Sequence, residues 1–123
     1  MYKRYNPNPD NKRVGDCIIR AITKATGKSW DQIYWELANL GFEMCSMPSE
    51  NEVWHEYLYR MGFNRYIIPD TCPVCYTVRD FVRDHPHGTF ILGTGSHVIC
   101  VQSGCYWDLW DSGDEVPIFY WRR

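Results

Sequence analysis

Two spacings divide the chain. Up to about residue 84 apolar side chains recur at helical intervals, and beyond residue 88 they come in short runs separated by turn residues. Ile18, Ala21, Ile22 and Ala25 form one stripe and predict a helix from Asp16 to about Thr26, closed by Gly27. Arg20 and Lys24 fall off that stripe. Ser29 can cap a second helix in which Trp30, Ile33, Tyr34 and Leu37 repeat the spacing, stopped by Gly41. Ser49-Glu50-Asn51-Glu52 reads as the capping box of a third helix, with Trp54, Tyr57, Leu58 and Met61 inward and Gly62 at its end. His55 lies off this stripe and is read as a solvated surface residue. Arg65 to Ile68 predicts a short strand ended by Pro69. Thr77 to Asp84 predicts a short helix with Val78, Phe81 and Val82 inward, broken by His85-Pro86-His87-Gly88.

The later runs, Thr89–Leu92, His97–Val101, Cys105–Trp110 and Val116–Trp121, predict four strands at the close spacing of an antiparallel meander. Helices first and strands last is the α+β order, with N-terminal helices packed on a C-terminal antiparallel sheet. Residues 1–15, with Asn6-Pro7-Asn8-Pro9-Asp10-Asn11, predict an extended leading arm. If Ser103-Gly104 is a two-residue hairpin turn, Gln102 faces Cys105 and His97 faces Trp110. Asp108 then shares the face of His97 one diagonal step away, and Asp111 points to the other face unless a bulge re-aims it.

At 123 residues the chain is sized for one domain that buries roughly two thirds of its unfolded surface. An aromatic content of 16% points to a core filled with rings. The formal net charge of −2 provides no basic field for a phosphate backbone, so nucleic acid is not an expected partner. No run reaches the roughly 18 apolar residues of a membrane span, and the first residues lack the apolar core of a signal peptide, so the expectation is a cytoplasmic protein without membrane association. The six cysteines, at 17, 45, 72, 75, 100 and 105, are therefore read as reduced thiols. Cys72-Pro73-Val74-Cys75 has the spacing of a zinc or redox pair, but a zinc ribbon needs a second such pair and none is present. No metal or other cofactor is expected. His85 and His87 read as turn residues, Asp111 to Glu115 as an acidic turn, and Trp107, Trp110, Tyr120 and Trp121 as core or sheet-face aromatics.

Cys17 carries the chemistry. It follows Asp16, a residue type suited to a helix N-cap, and so sits where unpaired N–H groups and the helix dipole favour thiolate over thiol. The plain alternative is a buried cysteine acting as a small hydrophobe. Thiolate attack on a carbonyl needs an imidazole to stabilise the ion pair and return a proton to the leaving group, a role open to His97. The imidazole needs an acceptor on its other nitrogen, which Asp108 can supply, with Asp111 the alternative orienting acid. The Cys17 N–H and a nearby Asn amide are candidate donors to the oxyanion. Arg20, one turn after Cys17, is read as solvent-facing or packing, against the alternatives of favouring the thiolate or holding a substrate carboxylate.

Asp16-Cys17 at a helix start, His97 at a strand start and Asp108-Leu109-Trp110 on the next strand together resemble the papain-like cysteine peptidase superfamily, and particularly its small bacterial and phage members such as the bacteriocin-processing peptidases. In that superfamily a Gln six positions before the Cys contributes to the oxyanion hole; Asn11, one methylene shorter, stands there in this chain. Asp108-Leu109-Trp110 resembles the family's Asn-Ser-Trp, whose Trp shields the orienting hydrogen bond. The resemblance implies a single papain-like domain over residues 1–123. It also implies hydrolysis of a peptide or isopeptide bond in a peptide or protein substrate through an acyl-thioester on Cys17, with His97 as base then acid, Asp108 orienting it, and Asn11 with the Cys17 N–H binding the oxyanion. Two rivals stand beside this: acyl transfer to an amine by the same triad, as in a transglutaminase-type enzyme, and a non-catalytic protein-binding module on the same fold. Nothing in the pattern bears on oligomeric state.

Overall fold

The computed structural model describes residues 1–123. Helix α1 (Cys17–Thr26) ends where Gly27 takes a left-handed φ of 76° and returns its N–H to the Thr23 carbonyl at 3.0 Å. Helix α2 (Trp30–Glu43) starts at Ser29, whose hydroxyl accepts from the Gln32 N–H at 3.1 Å. It runs through Gly41 instead of stopping there. A Cβ at Gly41 would lie 2.9 Å from the Ser46 carbonyl oxygen, so this glycine serves the close approach of the following loop. The buried stripe of α2 is Ile33, Leu37, Leu40 and Gly41, and Tyr34 is left exposed. Helix α3 (Asn51–Arg60) begins one residue later than the expected box, at Glu50, without a side-chain cap. The capping box occurs instead at α4 (Val78–Asp84), where Thr77 and Asp80 satisfy each other's N–H groups.

The strands β1 (Tyr2–Arg4), β2 (Asn64–Ile67), β3 (Thr89–Gly93), β4 (Val98–Gln102), β5 (Cys105–Asp108) and β6 (Phe119–Arg122) form one mixed sheet in the order β1-β5-β4-β3-β6-β2. The architecture is α+β, and two features of the expected sheet are corrected. The leading arm supplies an edge strand, β1, parallel to β5, so the sheet is not all antiparallel. The last strand does not follow β5 in a meander but crosses to pair with β3. The crossing segment is held on α4: the Val78 and Arg79 N–H groups donate to the Glu115 and Gly113 carbonyls at 2.9 and 3.1 Å. The acidic turn thus serves the open end of that helix.

Strand side chains alternate between two cores. Ile91, Val98, Cys100, Phe119 and Trp121 meet α1, α2 and α3, while Phe90, Leu92, Ile99, Val101 and Tyr106 meet α4 on the opposite face. Helices therefore cover both faces, which explains why β3 and β4 read as unbroken apolar runs. The β4–β5 hairpin turns through Ser103 and Gly104, both at positive φ (53° and 73°), and places Gln102 opposite Cys105 as the turn chemistry requires. No helix is long and apolar enough to cross a membrane.

Candidate active site

Helix α1 lies across β4 on the face that carries Val98 and Cys100 and brings Cys17 to the mouth of the β3–β4 hairpin. There the turn Thr94–His97 is fastened by its own side chain: the Thr94 hydroxyl accepts from the Ser96 and His97 N–H groups at 3.1 and 2.9 Å. This fixes the His97 backbone one residue before β4 begins. The ring stands near enough to Cys17 for each to shift the other's proton affinity, and on its other side Nε2 meets Asp108 Oδ2 at 2.6 Å. Asp108 closes β5, and from the strand end its carboxylate reaches the His97 ring. Trp110, beyond the strand end, still packs its ring 5.1 Å from that of His97. Cys17, His97 and Asp108 are brought together from three elements.

The carboxylate of Asp108 is fully buried and fully partnered. Oδ2 takes His97 and the Ser112 hydroxyl (2.7 Å), and Oδ1 takes the Leu109 N–H (2.8 Å) and Arg20 Nη2 (3.0 Å). Its main-chain carbonyl accepts from the Tyr5 N–H and the Tyr2 hydroxyl, so β1 braces it from behind. Arg20 is only 3% exposed, which corrects its reading as solvent-facing. Its second nitrogen, Nη1, pairs with Asp16 Oδ1 at 2.7 Å, and Asp16 Oδ2 in turn accepts from the Trp30 indole N–H at 2.9 Å. Asp16 stands at the N-cap of α1 but makes no side-chain cap. A capping Asp usually contributes about 1 kcal/mol to its helix. Here the carboxylate is turned inward, and the N–H groups of Cys17, Ile18 and Ile19 are left without acceptors.

These contacts set the charge states. Burial pushes the Cys17 thiol up, but the His97 hydrogen bond and charge, the Val98 N–H and Arg20 outweigh it and hold the thiol below its ordinary value. Burial pushes His97 down, and the hydrogen bonds and charges of Asp108 and Cys17 overcome this, raising the imidazole to about 9. Burial pushes Asp108 up, while His97, Ser112 and Arg20 bring it below the ordinary carboxylate value. The arrangement favours thiolate, imidazolium and carboxylate in line.

The other expected residues lie elsewhere. Asp111 turns away from His97 and binds the Tyr106 hydroxyl (2.5 Å) and Arg79 (3.1 Å), so it does not orient the imidazole. Asn11 is exposed at a positive φ of 56°, its carboxamide oxygen accepts from Asn6 at 3.3 Å, and it makes no hydrogen bond to Cys17, His97 or Asp108. Cys72 and Cys75 are exposed free thiols. His55 is not a solvated surface residue. It is packed among Trp54, Phe119 and Trp121, with Nε2 buried and unpartnered. Sequence reasoning gives Arg20 a part in the site only as an alternative, reads Asp16 as a cap alone, and misses Ser112. The signal for the first two was available: an acid and a base four residues apart on one helix are neighbours.

No protein-family model, curated protein or solved structure matches this chain. The functional reading therefore rests on the residues and their geometry.

Proposed function

We propose that the chain is a cysteine peptidase or isopeptidase of the papain-like type, cleaving an amide bond through an acyl-thioester on Cys17. The observation that carries this reading is the meeting of Cys17, His97 and Asp108, with the thiol beside the imidazole and Nε2 and Oδ2 2.6 Å apart. With Nε2 engaged by Asp108, Nδ1 is the ring nitrogen left for the sulfur and the substrate proton.

The thiolate of Cys17 attacks the carbonyl carbon, and the oxygen takes the negative charge, facing the uncapped N–H groups at the head of α1. The carbon–nitrogen bond breaks as the His97 imidazolium gives its proton to the departing amine, leaving the acyl-thioester and a neutral imidazole. Water then gives a proton to His97 and its oxygen to the acyl carbon. The carboxylic acid leaves, and the thiolate–imidazolium pair is restored. Gly15, Asp16, Ile18 and Ile19, the chain neighbours of Cys17, line one wall of an apolar groove of about 270 Å³ completed by Leu37 and Met47, which offers part of a substrate a place near the head of α1.

Thiol labelling followed by peptide mass mapping tests this reading. Vinyl-sulfone and iodoacetamide probes at neutral pH are expected to modify Cys17 faster than the exposed Cys45, Cys72 and Cys75, with labelling at position 17 slowed at least about 100-fold in His97→Ala. Modification of Cys17 no faster than the exposed thiols, in wild-type protein, overturns the proposal.

A further inference from the structure

Behind the three residues in line lies a second set of charges that the acyl-transfer steps do not use. Arg20 is 3% exposed, Asp16 5% and Asp108 0%, and the guanidinium joins the two carboxylates with one nitrogen each, at 2.7 and 3.0 Å. Removing such groups from water is costly, and a hydrophobic residue of similar volume would serve packing alone at least as well. The direction of Asp16 adds to this. At an N-cap, an Asp gains by bonding the first-turn N–H groups, yet this one gives both oxygens to Arg20 and the Trp30 indole. The positive end of α1 is thereby left facing the sulfur of its own first residue. The fork also links two elements at the site itself: Asp16 and Arg20 belong to the start of α1, and Asp108 to the end of β5, which α1 otherwise meets a turn further on, where Lys24 Nζ lies 3.8 Å over the Trp107 ring.

We propose that Arg20, gripped by Asp16, is a positioning residue: it ties Asp108, and through it the His97 ring, to the helix turn that carries Cys17, and places a fixed positive charge behind the thiolate. This rests on the reading of Cys17 as a nucleophile. The guanidinium is suited to the task because its planar fork reaches both carboxylates in one geometry, which a lysine ammonium cannot reproduce. The ionisable groups around it are Asp16 and Cys17 at the start of α1, His97 ahead of β4, Asp108 on β5 and the Tyr2 hydroxyl on β1.

The test measures the pH–rate profile of Cys17 carbamidomethylation by iodoacetamide in the full chain, with circular dichroism establishing folding of each variant. Arg20→Gln is expected to move the acid limb upward by about one pH unit and lower the plateau about tenfold. Arg20→Lys, which keeps the charge and loses the fork, is expected to hold the acid limb near that of the wild type while still lowering the plateau. Should Arg20→Gln leave a lone buried Asp16 that prevents folding, the paired Asp16→Asn/Arg20→Gln variant removes both charges and is expected to show the same upward limb. Lys24→Gln, one turn further along α1, controls for loss of a positive charge and is expected to overlay the wild type. A folded Arg20→Gln or paired variant whose profile coincides with the wild type overturns the proposal. A wild-type Cys17 that titrates as an ordinary thiol overturns the peptidase reading itself, and that result is visible before any Arg20 variant is made.

Discussion

His97 and His55 are both largely withdrawn from water and both lie against indole rings, yet their protonation runs in opposite directions. His97 is raised to about 9, whereas His55 is lowered to about 4. Burial pushes both down, so it cannot account for the difference. The partners do. His97 hands Nε2 to a buried carboxylate, and its second neighbour is a thiol that becomes an anion. His55 has no acceptor on Nε2, stands edge-on to Trp54 at 4.2 Å between ring centroids, and has the charge of Arg65 near it. One imidazole is held charged by its acidic partners, and the other is held neutral as part of an aromatic core.

The comparison is broken most severely at Asp108. Asp108→Asn keeps the shape of the carboxylate and removes its charge, which takes from His97 the partner that distinguishes it from His55. Labelling of Cys17 at neutral pH is expected to fall on the order of 10³-fold, by analogy with the loss of the orienting acid in serine triads. His97 is expected to drop well below about 9, so the alkaline limb of the rate profile moves to lower pH. The same change has a stability signature. A histidine raised on folding contributes stability that is fully present below its unfolded value of about 6.5 and is lost as pH rises through about 9. Denaturant titrations at pH 6 and pH 10 check this: the wild type should lose stability between them through His97, and Asp108→Asn should not show that component. An unchanged alkaline limb in a folded Asp108→Asn would show that the carboxylate does not hold the imidazolium.

His55 provides the next effect, with the sign reversed. Its folded value of about 4 lies below the unfolded value of about 6.5, so its contribution to stability is fully present above pH 6.5 and is lost as pH falls through about 4. His55→Phe removes the titration and the orphaned ring nitrogen together, so its urea midpoint should fall less steeply than that of the wild type between pH 6.5 and pH 4. Equal slopes would place the acid sensitivity elsewhere.

These two histidines also show what the chain makes legible. Element types follow from periodicity and turn chemistry, and the Ser103-Gly104 turn fixes the register that sets Asp108 beside His97. The surroundings of His55 could not be read in the same way. The stripe of α3 says which helical face is inward, but Phe119 and Trp121 reach that histidine from a strand about sixty residues later. Arg20 was misplaced for a related reason: charge argues for the surface unless the partner is seen, and one of its partners, Asp108, is remote in sequence. The amphipathic pattern of α4 likewise shows its apolar side without showing which face of the sheet it covers. The three residues of β1 are too few to display any period, and the pairing of β6 with β3 depends on a crossing held by main-chain bonds to α4.

The smallest effect sharpens the comparison at its common feature, the neighbouring indole. Trp110 is 44% exposed and packs tilted against His97, whereas Trp54 is buried against His55. An aromatic face beside an imidazolium contributes about 0.5–1 kcal/mol at an exposed site, which is roughly two- to fivefold in a rate governed by the charged ring. Trp110→Ala is therefore expected to slow Cys17 alkylation by that factor and to lower the alkaline limb only slightly, because Asp108 remains in place. Iodoacetamide kinetics across pH 5 to 10 measure both at once. A loss approaching that of Asp108→Asn would mean that the indole, by keeping water from the Nε2–Oδ2 bond, and not the carboxylate alone, maintains the imidazolium.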